Sequence, residues 1–120
     1  MTKSVYLVVE PITIIALDLA LCVQDYDPSA KIIVAHTSAE AVAAVVAQSA
    51  VCIAFVHADP DGFDASDLGK AVTKRGAACV FMGDRAERTT TGAIHVLQRP
   101  FSSETLATLL DGLCDRCVAA

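Results

Sequence analysis

The chain has 120 residues, of which 54% are hydrophobic and 19% charged, and its net charge is −5. This length and composition are sufficient to bury one hydrophobic core, so we expect a single domain over residues 1–120. The acidic balance lacks the basic surface on which nucleic-acid binding depends, and no nucleic-acid partner is expected.

The chain carries no convincing membrane or export signal. Residues 41–58 have no formal charge, but Gln48 and Ser49 divide this run into a helical and a strand-like segment, so no membrane span is predicted. The first residues lack the apolar core and cleavage site of a signal peptide, so secretion is not expected.

Apolar strands and helical periodicity alternate in the first part of the chain. Residues 5–9 are predicted as a first strand and residues 12–24 as a helix. Residues 31–35 form a second strand, and a second helix reaches about residue 48 because Thr37-Ser38-Ala39-Glu40 has capping-box spacing. The predicted buried stripe of the first helix is Ile12, Ile15, Ala16, Leu19 and Val23.

The same alternation continues to the end of the chain. Residues 51–56 are a third strand, followed by a helix that Asp64 or Ser66 caps and Gly76 ends. Residues 78–82 and 94–97 are strands four and five, and the polar stretch between them favours little helix. Ser102 or Ser103 caps a last helix. Its predicted buried stripe is Leu106, Leu109, Leu110 and Leu113.

Five apolar strands alternating with helices indicate an α/β fold. Continuous apolar strands are typical of a doubly wound parallel sheet that helices cover on both faces. In such sheets, functional sites form at the carboxyl ends of the strands. The polar residues predicted at these ends include Glu10, His57 and Arg99.

Several segments, in their order and spacing, resemble the receiver domain of bacterial two-component response regulators, the chemotaxis-type fold. They are Leu7-Val8-Val9-Glu10, Ile15-Ala16-Leu17-Asp18-Leu19, Phe55-Val56-His57 with Pro60-Asp61-Gly62, Val80-Phe81-Met82-Gly83, and Val96-Leu97-Gln98-Arg99-Pro100-Phe101. The last is the most specific, because the family typically has Lys-Pro-Phe there. The resemblance covers nearly all of the chain and implies the strand order 2-1-3-4-5.

The resemblance implies phosphorelay signalling at these strand ends. In the family, an aspartate accepts a phosphoryl group from a histidine kinase, neighbouring carboxylates hold Mg²⁺, and a Thr or Ser hydroxyl and a Lys bind the phosphoryl oxygens. Carried over by position, the acidic pair becomes Glu10 and Pro11, the acceptor His57, the hydroxyl Gly83 and the lysine Arg99. The pocket is therefore expected to be a degenerate one.

The substitutions predict that the family's chemistry is absent. Mg²⁺ prefers several oxygen ligands, and the side chain of Pro11 offers none, so the metal site is expected to be lost and no cofactor is expected. The aromatic switch residue, three positions before the family's lysine, is replaced by Val96. The family also implies a cis peptide between Arg99 and Pro100, and the short stretch 83–99 implies a shortened or missing fourth helix.

Several residues in or near this pocket have a functional interpretation and a purely structural one. For His57, we favour an imidazole that hydrogen-bonds to Glu10 or to a loop carbonyl over a role as a pH switch or an unusual phosphoacceptor. Arg99 is expected to pair with Glu10 rather than to bind an anion. Asp59 and Asp61 are candidates for a displaced acceptor or for metal ligands, although turn formation is the more usual role of such residues.

The cysteines favour a reducing compartment. There are five, an odd number, and Cys22, Cys52 and Cys79 lie in apolar segments, which suits reduced thiols packed as small core residues in the cytoplasm. Cys114 and Cys117 form a C-x-x-C at the end of the last helix, without the second pair that zinc requires. Neither metal nor redox function is favoured there.

These observations predict an atypical receiver domain that is not an enzyme and acts by protein–protein contact. The expected partners are a histidine kinase, another receiver or an output domain, and a homodimer is left open. Two alternatives remain. The first is a phosphorylatable receiver that uses His57 or a nearby aspartate, and the second is a sensor of a small molecule, a metal or redox state.

Overall fold

The computed structural model describes residues 4–83, 95–97 and 101–118, with the side chains of the last helix described up to Leu113. The strands are β1 (Val5–Val9), β2 (Lys31–Ala35), β3 (Ile53–His57), β4 (Ala78–Met82) and β5 (His95–Val96). The helices are α1 (Thr13–Tyr26), α2 (Ser38–Val45), α3 (Asp67–Lys74) and α4 (Ser103–Val118), and a 3₁₀ turn spans Phe63–Ala65. Among the described residues, no helix has the length and hydropathy needed to cross a bilayer.

The five strands form one parallel sheet in the order β2-β1-β3-β4-β5, which confirms the predicted fold class. The register aligns the carboxyl ends of the central strands, since Val9 pairs with Val56 and His57 with Met82. The residues that follow β1 and β4 therefore lie beside the last residue of β3 at one edge of the sheet.

Side chains alternate between two apolar layers along each strand, because successive residues of a strand point to opposite faces. On one face, Tyr6, Val8 and Phe55 pack with the buried residues of α1 and α4. On the other face, residues such as Leu7 and Val56 pack with α2 and α3. Burial on both faces explains why the strands are continuous apolar runs.

Side-chain caps fix the starts of three helices. The Thr37 hydroxyl accepts the backbone N–H of Glu40 at 3.1 Å, as the capping-box spacing predicted. The Ser66 hydroxyl accepts the N–H of Gly69 at 3.0 Å, so Ser66, rather than Asp64, caps α3. The Ser102 hydroxyl accepts the N–H of Thr105 at 3.1 Å at the start of α4. These bonds satisfy N–H groups that the helices themselves leave unpaired.

Some predicted boundaries are wrong. The third strand was predicted to begin at residue 51, but β3 begins at Ile53. Val51 is buried, and its N–H donates to the carbonyl of Arg75, which lies outside the β3–β4 ladder. Helix α2 ends at Val45, three residues before the predicted end at residue 48. Ile12 does not join the buried stripe of α1: it is the extended N-cap residue and is 49% exposed.

Two predictions about the segments around β5 fall outside the described residues. They are the shortened or missing fourth helix, which concerns residues 84–94, and the cis peptide between Arg99 and Pro100. Both stay predictions.

Two helical glycines provide a matched test of packing at the start of α3. A β-carbon at Gly69 would lie 2.0 Å from the carbonyl oxygen of Phe63, whereas one at Gly112 in α4 would meet nothing within 4 Å. We expect Gly69→Ala to lower the free energy of unfolding by about 1–3 kcal/mol, because backbone atoms must move apart. Gly112→Ala should raise it by up to about 1 kcal/mol through helix propensity. Urea unfolding measures both, and equal effects would contradict this account.

Candidate functional site

The candidate site is the cluster of Glu10, His57 and Gly83, here called the strand-end site. Glu10 follows β1, His57 is the last residue of β3, and Gly83 follows β4. The parallel register brings these three positions together at one edge of the sheet, as the alternating pattern predicted. Pro11, next along the chain, is exposed.

A short contact between His57 and Glu10 dominates the strand-end site. Nδ1 of His57 lies 2.7 Å from Oε1 of Glu10. The side chain of Glu10 is fully buried, whereas that of His57 is 31% exposed. An ionised carboxylate only accepts hydrogen bonds, so His57 donates from Nδ1 and its other ring nitrogen, Nε2, faces away from the carboxylate. Of the two partners predicted for His57, Glu10 and a loop carbonyl, the structure shows Glu10.

The second oxygen of Glu10 is also engaged. Oε2 accepts the backbone N–H of Ile12 at 2.9 Å, which joins the carboxylate to the start of α1. The Glu10 backbone is held as well, because its N–H donates to Ala35 at 3.0 Å and Nδ1 of His36 lies 3.1 Å from its carbonyl oxygen. Among the described residues, no buried side-chain polar atom lacks a partner. A buried carboxylate is tolerated because donors surround it.

Gly83 makes room for the imidazole ring. Its φ of 103° lies in a region that favours glycine, and a β-carbon there would be 2.8 Å from Nε2 of His57. Any side chain at this position would therefore compete with the ring for the same space. The sequence identified both residues as pocket positions, but only the structure shows that each depends on the other.

The loop after β3 is built as a turn. The N–H of Asp61 donates to Oδ1 of Asp59 at 3.0 Å, a bond typical of aspartates that form turns. Both side chains are exposed. Within the described part of the chain, no group of three or more His, Cys, Asp or Glu residues is arranged to hold a metal ion.

The remaining predicted site residues lie on or beyond β5. Val96 is half-buried and pairs in register with Phe81, whose ring packs edge-to-face against Phe63 with centroids 5.2 Å apart. Arg99 lies outside the described residues, so its predicted pairing with Glu10 stays a prediction.

The cysteines differ from one another in their chemistry. Cys22 and Cys79 are free and half-buried. Cys52 is disulfide-bonded, and the expectation of a reduced thiol there was wrong. Burial, with a smaller contribution from the charge of Asp64, raises the pKa of the Cys79 thiol to about 11.

Comparison with known proteins places the fold among receivers. No protein-family model matches the chain, and no curated protein matches it. Two solved structures are similar. A response regulator receiver protein from Sinorhizobium medicae WSM419 has a TM-score of 0.65 and 16% identity, over 94% of this chain and 95% of that one. SdrG from Sphingomonas melonis Fr1 has a TM-score of 0.61 and 22% identity, over 94% and 98%. The chain therefore has a receiver-like fold.

A double-mutant cycle tests the fit between Gly83 and His57. We expect Gly83→Ala to lower the free energy of unfolding by about 1–3 kcal/mol more than Gly76→Ala, because only Gly83 combines a positive φ with a crowded ring. Gly76 has a φ of 78° and nothing within 4 Å of its β-carbon position, so it reports the backbone cost alone. In a His57→Ala background the excess cost at Gly83 should shrink. An unchanged excess would show that the ring is not the obstacle.

Cys79 is expected to resist alkylation. With a pKa of about 11, on the order of one thiol in a thousand is ionised at pH 8, and the thiolate is the reactive form. Peptide mapping after iodoacetamide treatment should show slow labelling in the folded protein, a rate that rises steadily from pH 8 to 10, and fast labelling in urea. Asp64→Asn should speed labelling by lowering the pKa, whereas the control Asp61→Asn should not. Fast labelling of folded protein at pH 8 would contradict the buried environment.

Proposed function

We propose that this protein is a receiver-fold signalling domain that acts by contact with other proteins and is not phosphorylated in the way usual for receivers. The observation that carries the proposal is the His57 imidazole at the acceptor position, held by the buried carboxylate of Glu10. The two similar solved structures, one of them a response regulator receiver protein, match over more than nine-tenths of this chain and support a receiver-like fold over that length.

The strand-end site does not fit Mg²⁺. This ion requires near-octahedral oxygen ligands and keeps several waters. Both oxygens of Glu10 already accept hydrogen bonds, from His57 and from the Ile12 N–H, and Pro11 has no oxygen in its side chain. Binding the ion would break the bonds that allow a carboxylate to be buried. We therefore infer that the domain works without this metal.

The site also offers little to a phosphoryl group. Phosphoryl transfer depends mainly on positioning and on neutralising the charge of the transferred group. Gly83 supplies no hydroxyl, and a side chain there would meet the His57 ring. The exposed carboxylates of Asp59 and Asp61 on the following loop would repel a phosphate. These features support a role that does not depend on turnover.

The expected partners follow from this role. A histidine kinase, another receiver or an output domain would bind the folded domain as it stands, because contact of this kind does not depend on phosphorylation at the acceptor position, where His57 lies. We propose that this takes place in the cytoplasm of a bacterial cell, without enzymatic activity by the domain.

One observation favours a second candidate function. Because Nδ1 of His57 is bound to Glu10, the lone pair of Nε2 is left for nucleophilic attack, and the carboxylate would stabilise the positive charge that forms on the ring. In this alternative the domain accepts a phosphoryl group on His57 rather than on an aspartate.

Intact-protein mass spectrometry distinguishes these functions. The protein is incubated with acetyl phosphate or phosphoramidate, with and without Mg²⁺, beside His57→Ala and an Asp59→Asn/Asp61→Asn variant. We expect no gain of a phosphoryl mass under any condition, because the strand-end site offers added Mg²⁺ no set of oxygen ligands and Gly83 supplies no hydroxyl to assist the transfer. An acid-labile adduct that His57→Ala abolishes would establish the second candidate. An adduct that only the aspartate variant abolishes would establish a displaced acceptor, and either result overturns the proposal.

A further inference from the structure

Cys52 forms a disulfide at the edge of the sheet opposite the strand-end site. It lies immediately before β3 and is disulfide-bonded. Its side chain is half-buried and packs against the apolar layer that contains α1 and α4. The sheet fixes its backbone, because the Cys52 N–H donates to the carbonyl of Val5 at 2.8 Å and its own carbonyl accepts the N–H of Ala78 at 3.0 Å. The disulfide therefore ties its second cysteine to the amino edge of the central strands.

The number of cysteines limits the choice of that second cysteine. The sequence has five, and Cys22 and Cys79 are free. A disulfide within the chain leaves Cys114 and Cys117, the two cysteines of the C-x-x-C near the end of α4.

Helix α4 runs towards the edge of the sheet where Cys52 lies. At its start, the Ser103 hydroxyl donates to the sulfur of Cys22 at 3.4 Å, and further along, Asp111 accepts the Tyr26 hydroxyl at 2.7 Å. Helix α4 thus runs in the same direction as α1. Because α1 leads from the end of β1 to the start of the parallel strand β2, both helices run towards the amino edge of the sheet.

The spacing of the C-x-x-C matches the buried side of α4. In the sequence, Cys114 and Cys117 follow Leu110 and Leu113 by four residues each, and both leucines are buried. Positions four apart share one face of a helix. These leucines belong to the same apolar layer that Cys52 packs against. The direction of the helix and the spacing of its residues therefore agree with the number of cysteines.

The disulfide changes the interpretation of the C-x-x-C. By its position in the sequence alone, this motif favoured neither metal nor redox function. In a reducing compartment, such as the bacterial cytoplasm proposed above, protein disulfides are usually transient and serve in redox sensing or catalysis. Because Cys52 is half-buried rather than enclosed, a small thiol can reach the bond.

We propose that Cys52 and one cysteine of the C-x-x-C form a reversible redox link that fastens the end of α4 to the start of β3. The link reports the thiol–disulfide state of its surroundings through the attachment of the last helix. This inference goes beyond the proposed function, and it holds whether or not the domain is phosphorylated.

A small thiol such as glutathione opens the link by two exchange steps. In the first, its thiolate attacks one sulfur, the S–S bond breaks, and the released cysteine thiolate takes up a proton. In the second, another glutathione displaces the first from the mixed disulfide and frees the other cysteine. The protein gains two electrons and two protons, and two glutathione molecules become one molecule of oxidised glutathione. Oxidised glutathione closes the link by the reverse steps.

Tryptic mapping without reduction tests which cysteines are joined. The protein is equilibrated with oxidised glutathione, its free thiols are blocked with N-ethylmaleimide in urea, and it is digested. Trypsin places each cysteine on its own peptide: residues 4–31, 32–70, 76–85, 89–116 and 117–120. We expect peptide 32–70, which holds Cys52, to be joined to 89–116 or to 117–120, which hold Cys114 and Cys117.

Thermal unfolding and thiol counting test whether the link is reversible in the folded protein. In a glutathione buffer, the number of thiols that a maleimide polymer labels after denaturation should rise by two as the reduced fraction increases. The oxidised protein should melt about 10 °C above the reduced protein, because the link restricts the unfolded chain. Cys52→Ala should melt alike in both buffers. Cys79→Ala is the control and should keep the difference, because Cys79 is free.

Three results would overturn the proposal. The first is a Cys52 peptide that stays unlinked after oxidation, or that is joined to the peptide of Cys22 or Cys79. The second is a difference in melting temperature that persists in Cys52→Ala. The third is a link that glutathione opens only in urea, since the bond would then be a permanent structural one.

Discussion

The structure around the strand ends depends on one buried carboxylate. Glu10 is fully enclosed at the end of β1, where an ionised side chain is tolerated only if donors surround it. His57 and the N–H of Ile12 are those donors, and they come from the end of β3 and from the residue before α1. The ring that satisfies Glu10 in turn requires glycine at position 83. One electrostatic requirement thus links three strand ends and the start of a helix.

The fold itself does not require the chemistry of any particular pocket. Its stability comes from two apolar layers on a parallel sheet, in which residues such as Phe55 and Leu106 are fully buried. Polar residues at the strand ends can therefore change while the sheet order stays the same, and a function has to be argued from the site rather than from the fold. This explains how the chain matches two solved structures, one of them a receiver protein, over nearly its full length at only 16% and 22% identity.

The charged side chains are distributed unevenly among the helices. Among the described residues, the charged side chains of α1 are acidic, whereas α3 and the residue after it carry Lys70, Lys74 and Arg75 beside Asp67. Helix α1 also exposes Ile14, Leu17 and Leu21, which do not belong to the buried core.

The sequence by itself determined the sheet. β1, β2 and β4 were predicted to the residue because polar residues or glycines lie at or near both ends of each apolar run. Glu10 was placed near His57 because neighbouring parallel strands end at the same edge. Tertiary structure decided the rest. Periodicity identified the core side of α1, where Ala16, Leu19 and Val23 are buried, but it could not rank Asp64 against Ser66 as the cap of α3, because either residue satisfies the local pattern. The fit of the His57 ring against Gly83 also required the fold, because two residues distant in sequence share that space only after the strands pair.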